Sequence, residues 1–210
     1  MPEQAGSWGD VLSGRNLARS VALSGGVALH AINIYIATTV LPSVVREIGG
    51  LDLYAWNTTL FVVASILGSA LTAKLLAAAG SRGAYAIAAL CFIAGSLVCA
   101  LAPSIGMLIA GRIAQAVGGC AGMVLSRAIV RDVYERDKAA STLAYITMAM
   151  AVAPAVAPAL GGFLEVWFGW QASFLLVLGC GAAVWLWSLG SLRETNFRRQ
   201  PLPGPVGMAI

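Results

Sequence analysis

The chain has 210 residues, of which 59% are hydrophobic and only 10% are charged, and its mean hydropathy is +0.84. Soluble domains carry about 25% charged residues, so this composition excludes an ordinary soluble domain and predicts an all-α integral membrane protein. The net charge of +4 is explained by basic residues at the ends of the predicted helices, and we expect no nucleic-acid partner.

Charge-free runs locate the membrane spans, because a helix needs about 20 apolar residues to cross ~30 Å of hydrocarbon. Four runs hold one span each, and the run from Gly83 to Ser126 holds two, with a turn at residues 102–105. We predict six transmembrane helices, spans 1 to 6, near residues 20–42, 55–77, 84–102, 104–126, 141–164 and 170–191. A bundle at 20–192 then follows an N-terminal segment at 1–19 and precedes a Pro-rich tail at 193–210.

The basic residues define an orientation. Of 13 Lys and Arg residues, 11 fall on one side of the predicted membrane, Arg46 falls on the other side, and Arg112 lies within it. Basic loop residues are retained in the cytoplasm, so both termini of this multi-pass protein are predicted to be cytoplasmic. The membrane we expect is a bacterial inner membrane. The alternation of long and short loops favours two inverted three-helix repeats.

Arg112 is the most informative residue, with 29 uncharged residues before it and 14 after it. A lipid-facing Arg at mid-bilayer costs at least ~2.5–3.5 kcal/mol, so this side chain is expected in a protein interior or a water-filled cavity. Gln115 shares its helical face, and small residues suited to close packing occur beside it at Gly111, Gly118, Gly119 and Gly122. Two alternatives are open: Arg112 lines a functional cavity, or it bonds neighbouring helices together.

On span 1, His30 and Asn33 lie one turn apart, and His30 is the only histidine. Helix rise places His30 and Arg112 at similar depths, so they could share a cavity. Histidine exchanges protons near neutral pH, although a neutral His bonded between helices is the alternative.

On span 5, Pro154 and Pro158 each remove a backbone donor, and Gly161 and Gly162 allow close helix approach. These residues suit a gate or static packing equally well.

The remaining residues favour simple roles. The four cysteines lie in predicted spans without a ligand pattern, so we expect packing roles and no metal or cofactor. Glu165 is predicted to be a solvated flank of span 5. Interface anchors are expected at aromatic residues near the outer boundaries, Tyr54, Trp56, Trp167 and Trp170.

Three segments resemble drug:proton antiporters of the major facilitator superfamily. Residues 108–119, with Arg112, Gln115 and Gly118, are similar to the helix 4 motif R-x-x-Q-G-x-G. Residues 153–162 resemble the helix 5 motif g-x-x-x-G-P-x-x-G-G, with Pro158, Gly161 and Gly162 matching, and residues 48–56 resemble the outer loop of multidrug members. The resemblance covers the N-terminal six-helix half of a twelve-helix fold.

Two departures from the family pattern affect what the resemblance implies. The inner turn between helices 2 and 3 of the family reads G-x-L-a-D-R-x-G-R-K, and residues 73–82 lack its Asp and its first two basic residues. Asn33 also stands where some relatives carry Asp, and no acidic residue lies deep in a predicted span. Proton coupling would therefore rest on His30, on water near Arg112, or on a second half.

The resemblance implies a membrane transporter, or its N-terminal half, that exports small amphipathic compounds by alternating access and proton antiport. Arg112, Gln115, His30 and Asn33 would serve the transport path or its coupling. The implied partners are the lipid bilayer, a small-molecule substrate, protons, and a second six-helix half or a second copy of the chain. The alternative is a non-transporting fragment or partner subunit.

An intramembrane protease is disfavoured, because neither H-E-x-x-H nor G-x-S-x-G occurs in the sequence.

Overall fold

The computed structural model describes residues 14–133 and 136–191, and these form helices joined by short turns. The helices are α1 (Gly14–Ile48), α2 (Tyr54–Ala100), α3 (Ile105–Val133), α4 (Arg136–Phe168) and α5 (Trp170–Ser191), with a 3₁₀ turn at Leu51–Leu53. The all-α prediction is confirmed over the described residues. Each of the five helices is long and apolar enough to cross a membrane. Most of the predicted N-terminal segment and all of the tail from 193 lie outside the described residues.

Helix α2 contains the predicted spans 2 and 3 and folds back on itself. Its 47 residues would make a straight helix about 70 Å long, more than twice the thickness of the hydrocarbon core. Gly68 and Phe92 are 24 residues apart, yet they lie against the adjacent residues Val117 and Gly118 of α3. The reversal occurs at Gly80, whose φ of 72° and ψ of 177° are essentially restricted to glycine. We call residues 54–79 and 81–100 the first and second arms of α2.

Helix α3 is packed closely against α2 through glycines. A Cβ on Gly95 would lie 2.6 Å from the backbone nitrogen of Gln115, and one on Gly111 would lie 2.9 Å from the backbone nitrogen of Cys99. Contacts this short exist because neither residue has a side chain, so the backbones of the two helices nearly touch. Helix α3 thereby lies deep in the bundle, with α1 on another side and α4 and α5 packed on α1.

The outer ends of α1, α4 and α5 are joined by polar contacts, and two predictions made for this region are wrong. Trp170 is only 2% exposed and donates a hydrogen bond from Nε1 to Glu47 Oε2 at 2.9 Å, so it is not an interface anchor. Glu165 accepts a hydrogen bond from Ser43 and pairs with Arg46 at 4.0 Å, so it is not a free solvated flank. Trp56 and Trp167 are 53% and 71% exposed, as an interface position requires.

The ends of α2 and α3 agree only in part with the predicted spans. The turn predicted at residues 102–105 is present, since α2 ends at Ala100 and α3 begins at Ile105. Helix α3 runs on to Val133, beyond the predicted end of span 4. Residues 134 and 135, between α3 and α4, lie outside the described residues.

Candidate functional site

Arg112 is 3% exposed and lies inside the bundle on α3. Its Nη1 donates to Gln115 Oε1 at 3.0 Å, one turn further along the same helix. The centre of the guanidinium lies 4.1 Å from the centroid of the Phe61 ring on the first arm of α2. A cation over an aromatic face is stabilised by the ring quadrupole, most strongly where water is excluded. Arg112 is therefore held by an amide oxygen and an aromatic face.

Gln115 extends this contact to the second arm of α2. Its Nε2 donates to Ser96 Oγ at 2.8 Å, and Ser96 Oγ donates in turn to the Phe92 carbonyl at 2.9 Å. Gln115 and Ser96 are both fully buried. Because Gln115 bonds on both sides, it fixes Arg112 relative to α2, and a charge in this position is well ordered.

His30 lies next to the same aromatic ring. The His30 and Phe61 rings are stacked, with centroids 6.2 Å apart and an angle of 16° between their planes. His30 Nε2 is 3.6 Å from Cys120 Sγ on α3, and His30 Nδ1 is buried without a partner. The structure thus places His30 and Arg112 beside the same side chain, Phe61.

Asn33 is the fourth predicted site residue, and it is fully buried one turn from His30 on α1. Both of its amide atoms, Oδ1 and Nδ2, lack a hydrogen-bond partner, as do Asn57 Oδ1 and Arg112 Nε. Buried polar atoms are normally paired, so each of these atoms calls for an explanation such as water, an ion or a ligand. We call Asn33, Arg112, Gln115 and Ser96 the polar layer.

The four glycines predicted for packing on α3 do not share one role. Gly111 and Gly118 lie against the second arm of α2, and a Cβ on Gly119 would overlap the His30 ring. Gly122 differs, because a Cβ there would meet no atom within 4 Å. Gly122 instead lines a cavity of about 40 Å³, which also touches His30, Tyr85 and Gly26. The packing role predicted for Gly122 is not what the structure shows.

On α4, the predicted gating residues fall on different faces of a continuous helix. Gly161 packs against the Ile36 backbone on α1, where a Cβ would lie 3.6 Å from Ile36 Cα, and Ala157 and Ala153 are buried one and two turns before it. Pro154 is exposed and Pro158 is half-buried, while a Cβ on Gly162 would meet nothing within 4 Å. Small residues at i, i+4 and i+8 thus form the contact between α4 and α1.

Sequence reasoning missed three partners of the predicted residues. Phe61, Ser96 and Cys120 contact Arg112, Gln115 and His30, respectively. A Phe, Ser or Cys in an apolar helix carries no distinctive signal, so only the spatial arrangement reveals these contacts. Ser126, further along α3, donates to the Gly122 carbonyl at 2.8 Å on its own helix.

The fold and the buried polar layer together define a multi-pass helical membrane protein with a charged group in its interior. A profile of the Major Facilitator Superfamily matches residues 23–206. The chain belongs to this superfamily of membrane transporters, as the residues around Arg112 and Pro158 indicated.

Individual relatives agree with this assignment. A probable multidrug-efflux transporter of Mycobacterium tuberculosis is 36% identical over 171 residues, covering 81% of this chain and 36% of the relative. An azole resistance protein of Saccharomyces cerevisiae is 29% identical over 164 residues, covering 78% of this chain and 27% of the relative. The crystal structure of the human organic anion transporter TETRAN superposes with a TM-score of 0.59 at 20% identity, over 85% of this chain and 48% of that one.

Each of these matches covers only part of the relative's own length. The chain spans between about a quarter and a half of the length of these proteins, since the shares are 36%, 27% and 48%. The likeness to TETRAN concerns the fold alone. The described bundle therefore corresponds to one part of a larger transporter architecture.

Proposed function

We propose that this chain forms one six-helix half of a transporter that exports small amphipathic compounds by alternating access coupled to proton antiport. The observation that carries the proposal is the 36% identity to a probable multidrug-efflux transporter, which extends over 81% of the chain. A second six-helix half, or a second copy of the chain, would supply the opposite wall of the transport path.

The proposed topology has six crossings, arranged as two inverted three-helix repeats, with both termini in the cytoplasm of a bacterial cell. The reversal of α2 at Gly80 supports this count, because each arm of α2 is long enough for its own crossing. The basic residues of the sequence support the orientation. The bundle would occupy 20–192, with cytoplasmic segments at 1–19 and 193–210.

The proposed roles follow from the polar layer. Arg112, held by Gln115, supplies a fixed positive charge, and His30 is the proposed proton-exchanging group. Both lie beside the Phe61 ring, and the proposed coupling is electrostatic, with the charge state of one residue influencing the other across this ring. The contact of Gly161 and Ala157 with α1 would allow α4 to move against the helix that carries His30 and Asn33.

A second candidate function is a non-transporting partner subunit. The absence of the family's Asp and first two basic residues from residues 73–82 favours it, because the inner turn lacks charges that relatives use there.

Transport in reconstituted vesicles separates these functions. The 210-residue chain would be placed in vesicles with an imposed pH gradient, and the flux of fluorescent amphipathic anions, cations and neutral compounds would be measured. We expect a saturable flux of at least one class that is lost in Arg112→Ala and kept in Arg127→Ala, an exposed Arg on the same helix. No flux of any class at any pH, with a folded protein, would favour the partner subunit.

A further inference from the structure

We propose that Arg112 and Asn33 form a binding site for the carboxylate group of an amphipathic organic anion. This inference rests on the proposed transport function and names the class of substrate that the site would take. It is carried by the charge balance of the bundle, by the hydrogen-bonding state of Arg112, and by the position of Asn33.

The positive charge of Arg112 has no counter-charge at its depth. The sequence has no Asp or Glu between residues 53 and 131, and none at 11–46, 138–164 or 166–193. The acidic residues that border these ranges in the described helices and turns lie at helix ends, namely Glu47, Asp52, Asp132, Asp137 and Glu165. A guanidinium stays protonated in proteins, so Arg112 is a buried cation with no acidic partner among the described residues. A buried, unpaired charge is strongly unfavourable, and a bound anion would remove the penalty.

The partners that Arg112 does have are neutral, and they leave part of it free. Gln115 Oε1 engages Nη1, and the Phe61 ring covers one face of the guanidinium. The Nε–H is buried and has no partner. Carboxylates bind an Arg side chain through two parallel N–H donors, and the edge that includes Nε–H is the one that Gln115 leaves open.

Asn33 supplies a second unpartnered donor, within about one helical turn of the depth of Arg112. Helices α1 and α3 are antiparallel, because His30 lies against Gly119, while Val40 clusters with Leu108 further out. Ile34 packs against the cluster that contains Ala116, so the neighbouring Asn33 lies about one helical turn from Arg112 along the bundle axis. Its amide is fully buried, with Nδ2 and Oδ1 both unpartnered.

The chemistry of this pair favours an anion over a cation or a neutral group. A fixed positive charge repels an organic cation, and in a medium of low dielectric constant that repulsion is only weakly screened. The ring of Phe61 beside the guanidinium offers an apolar surface for the hydrophobic part of the compound. Carboxylate oxygens can accept from Arg112 Nε–H and from Asn33 Nδ2–H, which would satisfy two of the buried unpartnered atoms.

Ligand-dependent stability tests the site without requiring transport. Thermal unfolding of the purified 210-residue chain in detergent would be followed by tryptophan fluorescence with benzoate, its neutral analogue benzamide, benzylammonium or chloride. A ligand at ten times its Kd that binds only the folded state raises Tm by about 3–6 °C for a chain of this size. We expect this shift with benzoate and none with benzamide or benzylammonium. An equal shift with benzamide, or a shift with chloride but not with benzoate, would overturn the proposal.

Substitutions test whether the benzoate-dependent rise in Tm depends on Arg112 and Asn33. In Arg112→Gln and in Asn33→Leu, the affinity for benzoate should fall at least ~10-fold, since each removes one charge-assisted or buried donor. In Arg127→Gln, which changes an exposed Arg on the same helix, it should be unchanged. Asn33→Leu keeps the test decisive if Arg112→Gln does not fold. Undiminished benzoate binding in a folded Arg112→Gln or Asn33→Leu protein contradicts the site.

The binding and transport measurements fail independently. Benzoate binding without any flux would leave the anion site standing and reject transport by this chain alone. Saturable flux of cations only, together with no benzoate-dependent shift, would retain the transporter and reject the anion site.

Discussion

The residue that ties the site together is Phe61, because its ring meets both the Arg112 guanidinium and the His30 imidazole. The sequence singles out Arg112 and His30 through charge and rarity, which are visible in any single chain. Phe61 is one of six phenylalanines in an apolar chain and carries no such mark. Side-chain identity thus points to the polar residues of the candidate site, while the apolar contact beside them is visible only in the fold.

The face of α3 toward His30 has no room for a side chain at Gly119. In Gly119→Ala, the added methyl would overlap the His30 ring, so either the ring or the helix must move. Overpacking of this kind costs about 1–3 kcal/mol, and we expect a lower Tm in detergent.

Gly122 is the matched control on the same helix. Its Cβ would enter open space beside the cavity, and alanine is the better helix former by about 1 kcal/mol. Gly122→Ala should therefore leave Tm unchanged or raise it. A loss of stability in Gly122→Ala equal to that of Gly119→Ala would show that the His30 contact is not responsible.

Trp170 and Trp167 provide a second residue-level test. Trp170→Phe removes the donor that reaches Glu47 Oε2 from a buried side chain, and we expect a loss of about 1–3 kcal/mol in unfolding free energy. Trp167→Phe alters a side chain that is 71% exposed and should change little. Denaturant titration of both variants measures the difference, and equal losses would contradict the structural role of the Glu47 bond.

Trp170 also shows why its predicted role as an interface anchor was wrong. A tryptophan near a predicted membrane boundary is an amphipathic anchor if its N–H meets water or headgroups, and a core residue if the N–H finds a protein acceptor. The sequence cannot distinguish the two, because the acceptor, Glu47, lies 123 residues away.

At the scale of elements, the reversal of α2 depends on the backbone conformation of Gly80. The sequence predicts a turn here, because Lys74 and Arg82 bracket it, but not that the turn is confined to one non-helical residue. Gly80→Ala should destabilise the chain by about 1–3 kcal/mol, since φ of 72° with ψ of 177° is strained for any side chain.

No atom lies within 4 Å of the Cβ position of Gly80, so the cost there is purely conformational. Gly106→Ala is the control, because that glycine also has open space and has no positive φ. Equilibrium unfolding of both variants should separate them. Equal stability would mean that the reversal does not require glycine.

The contact between α4 and α1 gives another element-level prediction. Ala157 is fully buried, whereas Ala155, half a turn earlier, is exposed. Ala157→Leu should push the two helices apart and cost about 1–3 kcal/mol, and Ala155→Leu should be nearly neutral. Thermal unfolding of the two variants checks this, and a neutral Ala157→Leu would show that the interface can widen freely.

At the scale of the whole molecule, the proposed orientation can be tested with single cysteines. In a chain whose native cysteines are replaced by Ala, Asp52→Cys and Arg82→Cys each place a thiol on an exposed residue. A membrane-impermeant maleimide added to intact cells should label Asp52→Cys, and should label Arg82→Cys only after lysis. The opposite pattern would invert the orientation.

The turn at Gly80 also governs how the bundle can deform. Since the two arms of α2 are joined without a flexible loop, the hairpin has no spare chain length. A shift of one arm along its axis by a helical turn, about 5.4 Å, must be matched by the other arm or absorbed by torsion at that glycine. The first arm holds Phe61, which contacts Arg112, and the second arm holds Ser96, which contacts Gln115. Because the arms are coupled, a movement that changes one of these contacts would also change the other.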